Sequence, residues 1–104
     1  MVEAKLVRVG ALDAIPPGQG RTFLVGAEEV AVFRQRDGKL FATRNRCPHK
    51  NGPLAEGIVG GGTVICPLHS KKFDLATGQG PESFCVKTYV VKELDGGIVV
   101  ELFP

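Results

Sequence analysis

Two short sequence words hold the residue types that bind metals through sulfur and through nitrogen. The first is C-P-H at residues 47–49, and the second, after sixteen intervening residues, is C-P-L-H at residues 66–69. Both histidines of the chain and two of its three cysteines lie in these words. Thiolate favours iron–sulfur clusters, zinc or copper(I), and imidazole favours iron, zinc, copper or nickel. The spacing predicts a metal centre with four ligands, Cys47, His49, Cys66 and His69.

One cofactor requires this mixture of ligands. A Rieske [2Fe–2S] centre has two cysteines on one iron and two histidines on the other. Two ferric ions and two sulfides are neutralised by two thiolates, whereas four thiolates would leave the oxidised cluster a dianion. In a low dielectric an electron is added more easily to a neutral centre than to a dianion. The reduction potential of a Rieske cluster is therefore roughly −150 to +300 mV, compared with about −400 mV for a plant-type cluster with four cysteines. We therefore predict one [2Fe–2S] cluster of the Rieske type and an electron-transfer role.

Zinc is the alternative occupant of the same four ligands. Structural zinc sites also use two cysteines and two histidines. Their like ligands usually stand close together, as C-x2–4-C or H-x3–5-H, whereas each word here holds one cysteine and one histidine. With zinc the chain would be a zinc-stabilised interaction module without redox chemistry.

The chain resembles Rieske-type ferredoxins from about Arg8 to Glu101, and in particular the small subunit of assimilatory NAD(P)H-dependent nitrite reductase. The two ligand words are specific for a Rieske centre, and the flanking words alone select the subfamily. The resemblance rests on C-P-H-K at 47–50, G-P-L at 52–54, G-I-V at 57–59, C-P-L-H at 66–69, F-D-L-A-T-G at 73–78 and C-V-K-T-Y at 85–89.

Apolar and polar residues alternate with a period of two along much of the chain, which is typical of strands. Asp37-Gly38 and Asp95-Gly96-Gly97 are hairpin turn signals, and Leu12-Asp13-Ala14 is predicted to form one helical turn. Eight or so short strands predict an all-β fold, an antiparallel sandwich or barrel. The resemblance implies one Rieske domain over residues 1–104, with a base from 1–43 and 83–104 and an inserted, loop-rich cluster-binding subdomain at about 44–82.

The chain lacks the parts of a free-standing catalyst. No histidine remains outside the ligand words, and no G-x-G-x-x-G loop is present to bind a dinucleotide. We expect a redox subunit whose partner polypeptide performs the catalysis. The resemblance implies a flavin- and sirohaem-containing large subunit that reduces nitrite to ammonium in nitrate assimilation. The alternative is the ferredoxin of an aromatic-ring-hydroxylating dioxygenase, which serves a flavin reductase and an oxygenase.

Composition limits the other partners. The 104 residues carry a net charge of +2, which is too weak to indicate nucleic acid or a membrane surface. No apolar run approaches the roughly 20 residues that span a bilayer, and the N-terminus has no signal-peptide core. With two of three cysteines predicted as ligands, no disulfide framework is possible, so we expect a cytoplasmic protein.

The third cysteine, Cys85, is predicted to be a buried structural residue.

Basic residues flank the two ligand words. They allow two interpretations, an ordinary solvated surface or a basic collar that docks an acidic partner near the cluster. The residues are Arg44, Arg46, Lys50, Lys71 and Lys72.

Overall fold

The computed structural model describes residues 5–25, 28–46, 52–67, 71–81 and 84–102. Nine strands lie in these ranges, and the all-β prediction is confirmed. Two 3₁₀ helices of one turn each, Leu12–Ala14 and Leu54–Glu56, accompany them. The strands are β1 Lys5–Ala11, β2 Gln19–Val25, β3 Glu28–Arg34, β4 Leu40–Arg44, β5 Ile58–Gly60, β6 Thr63–Ile65, β7 Lys72–Asp74, β8 Thr88–Leu94 and β9 Gly97–Leu102.

Six of these strands form a large antiparallel sheet in the order β1-β9-β8-β4-β3-β2. Both predicted hairpin turns are present in it. Between β3 and β4 the backbone of Gly38 has a φ of +96°, and the Asp37 carboxylate accepts the Lys39 N–H at 3.0 Å. Between β8 and β9 the turn residues Asp95 and Gly96 have φ values of +52° and +76°. Positive φ at both central residues suits the right-handed twist of a tight hairpin.

The other three strands form a small antiparallel sheet in the order β5-β6-β7. Strand β5 was not predicted, because a three-residue strand that ends in glycine is too short to show an alternating pattern. The turn from β5 to β6 is made by Gly61 and Gly62, whose φ values of +60° and +77° suit a two-residue hairpin loop. Strand β6 ends at Ile65, so the chain leaves this sheet directly into the second ligand word.

Strand β3 is buried on both faces and joins two hydrophobic cores. Its residues 30–33 are all fully buried. Because side chains alternate across a strand, Val30 and Val32 point to one core and Ala31 and Phe33 to the other. The first, here called the sheet core, contains Ile15, Val25, Val30, Val32, Ala42, Ile98 and Val100. The second, here called the loop core, contains Ala31, Phe33, Leu54, Ala55, Val64, Cys66, Phe73, Leu75 and Val86.

The prediction for Cys85 was wrong, because its side chain is exposed. The residue forms an isolated bridge with Gln79, and β8 begins only at Thr88. Its neighbour Val86 is the buried residue, at 5% exposure, and belongs to the loop core. Among the described residues, no helix is long and apolar enough to cross a membrane.

Candidate metal centre

Of the four predicted ligands, the structure describes Cys66. Its side chain is 1% exposed and belongs to the loop core, directly after β6. Cys47, His49 and His69 lie outside the described residues, so the ligand set stays a prediction. For the same reason the described residues contain no group of three or more metal-binding side chains.

The second ligand word starts at the base of a hairpin loop between β6 and β7. The Cys66 N–H donates to the Lys71 carbonyl at 2.7 Å, one residue beyond the Ile65–Lys72 pair of the sheet. These contacts bring residues 66 and 71 together and close the intervening segment at its base. Because the backbone N–H of Cys66 is paired, its buried thiol can bind a metal without leaving that backbone donor unsatisfied in the core.

The first ligand word also lies between two residues that meet. Arg46 and Pro53 form an antiparallel bridge, and the Asn45 carbonyl accepts the Leu54 N–H at 2.7 Å. After β4 ends, the chain passes Asn45 and Arg46 and comes back beside them at Pro53 and Leu54, at the start of the second 3₁₀ helix. Both predicted ligands of this word, Cys47 and His49, fall inside the segment that these contacts close.

The two loops are anchored side by side on the loop core. Leu54, which follows the first loop, and Cys66, which starts the second, are both buried there. Gly57 lies so close to β6 that an added Cβ would overlap the Ile65 carbonyl oxygen and approach Val64 Cγ2 at 2.9 Å. Glycine is therefore required where the two segments meet. The bases of both ligand words lie on one core, and their donors, two thiolates and two imidazoles, fit a Rieske cluster.

An ion pair lies at the entrance to the first loop. Arg46, which precedes Cys47, contacts Glu29 through Nε–Oε2 at 2.9 Å and through Nη2–Oε1 at 3.0 Å. The hydrogen bond from Arg46 is the main cause that holds the pKa of the Glu29 carboxyl below its usual value. The two hydrogen bonds fix the orientation of the Arg46 guanidinium, and the Glu29 carboxylate neutralises its charge. Sequence analysis missed the role of Glu29, because nothing marks a partner 17 residues away.

The predicted basic collar is consequently not uniform. Arg46 is paired with Glu29, whereas the side chains of Arg44 and Lys72 are exposed. Lys71 is partly buried, and its carbonyl accepts the Cys66 N–H. Lys50 lies outside the described residues. Of the basic positions that the structure describes, Arg44 and Lys72 are exposed beside a loop base and lie outside the Arg46–Glu29 ion pair.

Comparison with known proteins identifies the family. Residues 5–101 match the sequence profile of the Rieske-like [2Fe-2S] domain. The chain belongs to this family. This Rieske protein has one [2Fe–2S] cluster as its cofactor and transfers electrons. The family assignment removes the zinc interpretation, and the recognition of a Rieske-type ferredoxin is confirmed.

Relatives of this Rieske protein serve two kinds of enzyme. The anthranilate 1,2-dioxygenase ferredoxin subunit of Burkholderia cepacia is 34% identical over 98% of this chain and 99% of its own. The ferredoxin of carbazole 1,9a-dioxygenase from Nocardioides aromaticivorans superposes with a TM-score of 0.83 at 34% identity, covering 92% and 96% of the two chains. A putative NADH-dependent nitrite reductase small subunit from Mycobacterium tuberculosis superposes with a TM-score of 0.87 at 28% identity, covering 96% of each chain.

Proposed function

We propose that this Rieske protein is the small subunit of an NAD(P)H-dependent nitrite reductase and passes electrons within an enzyme that reduces nitrite to ammonium. The observation that carries the proposal is the superposition on the Mycobacterium tuberculosis small subunit, at a TM-score of 0.87 over 96% of both chains. The sequence words C-P-H-K at 47–50 and C-V-K-T-Y at 85–89 support it. Its partner would be a large subunit that contains flavin and sirohaem.

The proposed ligands are Cys47 and Cys66 on one iron and His49 and His69 on the other. When bound, the cluster supplies a site that accepts and releases one electron at a time. The closed bases of both loops and the burial of Cys66 support this set. We also propose that residues 44–82 form the cluster-binding subdomain on a base of 1–43 and 83–104. The small sheet, β5 to β7, lies within the proposed subdomain.

The second candidate is the ferredoxin of an aromatic-ring-hydroxylating dioxygenase. It is favoured by the 34% identity to the Burkholderia cepacia ferredoxin subunit over nearly the whole of both chains. The cluster chemistry would be the same, and the electron would pass from a flavin reductase to an oxygenase. The two candidates therefore differ in the partner alone.

Rapid mixing of the reduced protein with each partner separates the candidates. The dithionite-reduced protein, freed of excess reductant, is mixed with a sirohaem-containing nitrite reductase large subunit or with a ring-hydroxylating oxygenase from the same host. We expect the cluster's visible absorbance to recover at a rate proportional to the concentration of the large subunit, and slowly with the oxygenase. If the oxygenase reoxidises the protein rapidly and the large subunit does not, the dioxygenase ferredoxin replaces the nitrite reductase small subunit as the proposed function.

Docking is proposed to occur beside the cluster loops, with exposed basic residues facing an acidic partner. Lys72 follows the base of the second loop, whereas Lys39 lies at the far end of β4 from the first loop. Lys72→Glu and Lys39→Glu change the net charge equally. We expect Lys72→Glu to slow partner reoxidation about threefold at low salt through the association rate, with a flatter salt dependence.

The Lys39→Glu control should keep the wild-type rate to within experimental error, because its charge lies far from the loops. Both variants should keep the wild-type visible spectrum. Equal rates for the two variants would show that the charge beside the loops has no special part in docking.

A further inference from the structure

Asn45 is a buried polar side chain at the start of the first ligand loop. It is 2% exposed and lies two residues before Cys47. Burial of an amide is costly unless its donor and acceptor groups are satisfied. Here both ends of the side chain have partners, on two different segments of the chain.

The hydrogen bonds of Asn45 join the start of β3 to the start of the second 3₁₀ helix. Its backbone N–H donates to the Glu29 carbonyl at 3.0 Å, and its side-chain Nδ2 donates to Glu29 Oε1 at 3.4 Å. Its backbone carbonyl accepts the Leu54 N–H at 2.7 Å, and its side-chain Oδ1 accepts the Ala55 N–H at 3.0 Å. One residue thus holds β3 and both ends of the first loop together.

The contacts with Leu54 and Ala55 complete the short helix that follows the loop. The first N–H groups of a helix have no partner within it. Pro53, at the N-cap position, makes no side-chain cap, and the N–H groups of Glu56 and Gly57 are used inside the turn. The two remaining N–H groups, on the buried residues 54 and 55, both donate to Asn45. Asn45 therefore caps this helix from the opposite end of the loop.

We infer that Asn45 is the positioning residue of the first ligand loop, and that its side-chain bond to the Ala55 N–H holds Cys47 and His49 in place for the cluster. The inference rests on the proposed ligand set. Without that bond, the buried Ala55 N–H loses its partner and the loop is closed by fewer contacts. Groups that hydrogen-bond to metal ligands set ligand orientation, and their loss typically costs about 10–100-fold in metal affinity or activity. Asn45 acts one step further out, on the backbone that closes the loop, so we expect an effect at the lower end of that range.

The test compares three variants of the cluster-loaded protein. Asn45→Ala removes the side-chain bonds. The double variant of Asn45→Asp with Glu29→Gln keeps an acceptor oxygen for the Ala55 N–H, keeps the net charge, and places an amide instead of a second carboxylate opposite the new Asp side chain. Thr43→Val is the matched control, because Thr43 is fully buried two residues earlier and its hydroxyl donates only locally, to the Arg44 carbonyl at 3.0 Å.

Three quantities are measured on each variant: the rate of cluster loss to a chelator, the EPR spectrum of the reduced cluster and the midpoint potential. Asn45→Ala should lose its cluster about tenfold faster or more, with altered EPR g values and a shifted potential. Thr43→Val should lose its cluster at close to the wild-type rate, with an unchanged spectrum. The double variant of Asn45→Asp with Glu29→Gln should behave more like the wild type than like Asn45→Ala, because the bond to Ala55 is kept.

Three outcomes would overturn the inference. The first is a wild-type rate of cluster loss with a wild-type EPR spectrum in Asn45→Ala, and the second is accelerated cluster loss with an altered spectrum in Thr43→Val. The third is cluster loss about tenfold or more above the wild-type rate in the double variant of Asn45→Asp with Glu29→Gln, which decides the question even if Asn45→Ala does not fold. The ligand set fails separately, if Cys47→Ser retains a wild-type cluster.

Discussion

Substitution of any one proposed ligand is expected to abolish the cluster. Cys47→Ser, Cys66→Ser, His49→Ala and His69→Ala each remove one of the four bonds to iron, and no spare histidine exists in the chain to replace a lost one. Purified wild-type protein should be red-brown with two irons and two sulfides per chain. Each variant should be colourless or retain only a small fraction of the iron, as measured by iron and sulfide analysis and by visible absorbance.

Cys85→Ser is the matched control for the cysteine variants. Cys85 is exposed, whereas Cys66 is 1% exposed in the loop core, so the two thiols lie in opposite environments. We expect Cys85→Ser to keep the full iron content and the wild-type spectrum. Iron loss from this variant equal to that from Cys66→Ser would mean that the ligand set has been assigned wrongly.

Gly78→Ala is expected to destabilise the fold strongly. Gly78 has a φ of +81°, which favours glycine, and an added Cβ would overlap the Val86 carbonyl oxygen and meet Thr88 Cγ2 at 3.2 Å. The Gly78 carbonyl accepts the Val86 N–H at 2.8 Å, so relief of the overlap would pull Val86 from the loop core. Strain and overlap together should cost on the order of 3 kcal/mol.

Gly96→Ala separates the two contributions. Gly96 has a nearly equal φ of +76°, and an added Cβ would meet no atom within 4 Å. Its cost should be the backbone strain alone, about 1 kcal/mol. Thermal unfolding of the cluster-loaded proteins measures the difference, at roughly 4–8 °C of Tm per kcal/mol for a domain near this size. Equal Tm values for the two variants would show that the packing against Val86 contributes nothing.

The strands and turns were predictable wherever a local pattern sets them. The hairpin turns at Asp37-Gly38 and Asp95-Gly96 follow from residues that tolerate positive φ, and the helical turn at Leu12–Ala14 was also found. The prediction for Cys85 failed because it rested on the general tendency of free cysteines to be buried, which does not specify the site. Tertiary contacts decide which neighbour is buried, and here Val86 fills the loop core.

The sequence predicts a ligand set for the candidate site, whereas the contacts that support the ligand loops could not be predicted from it. Cysteine and histidine at short spacings identify a metal centre by their chemistry alone. The contacts of Asn45 with Glu29 and Ala55 join segments that are distant in sequence, and an asparagine two residues before a cysteine has no distinctive pattern. The double burial of β3 likewise depends on the small sheet covering its second face, which no local window shows.

Pulsed EPR with labelled histidine tests the central claim most directly, that two imidazoles bind one iron of the cluster. The chain contains only two histidines, so protein grown with ¹⁵N-histidine is labelled only at His49 and His69. The reduced wild-type protein is predicted to show strong hyperfine couplings from two directly bonded nitrogens, which change from ¹⁴N to ¹⁵N on labelling. A [2Fe–2S] cluster whose spectrum is the same with and without the label would contradict the account.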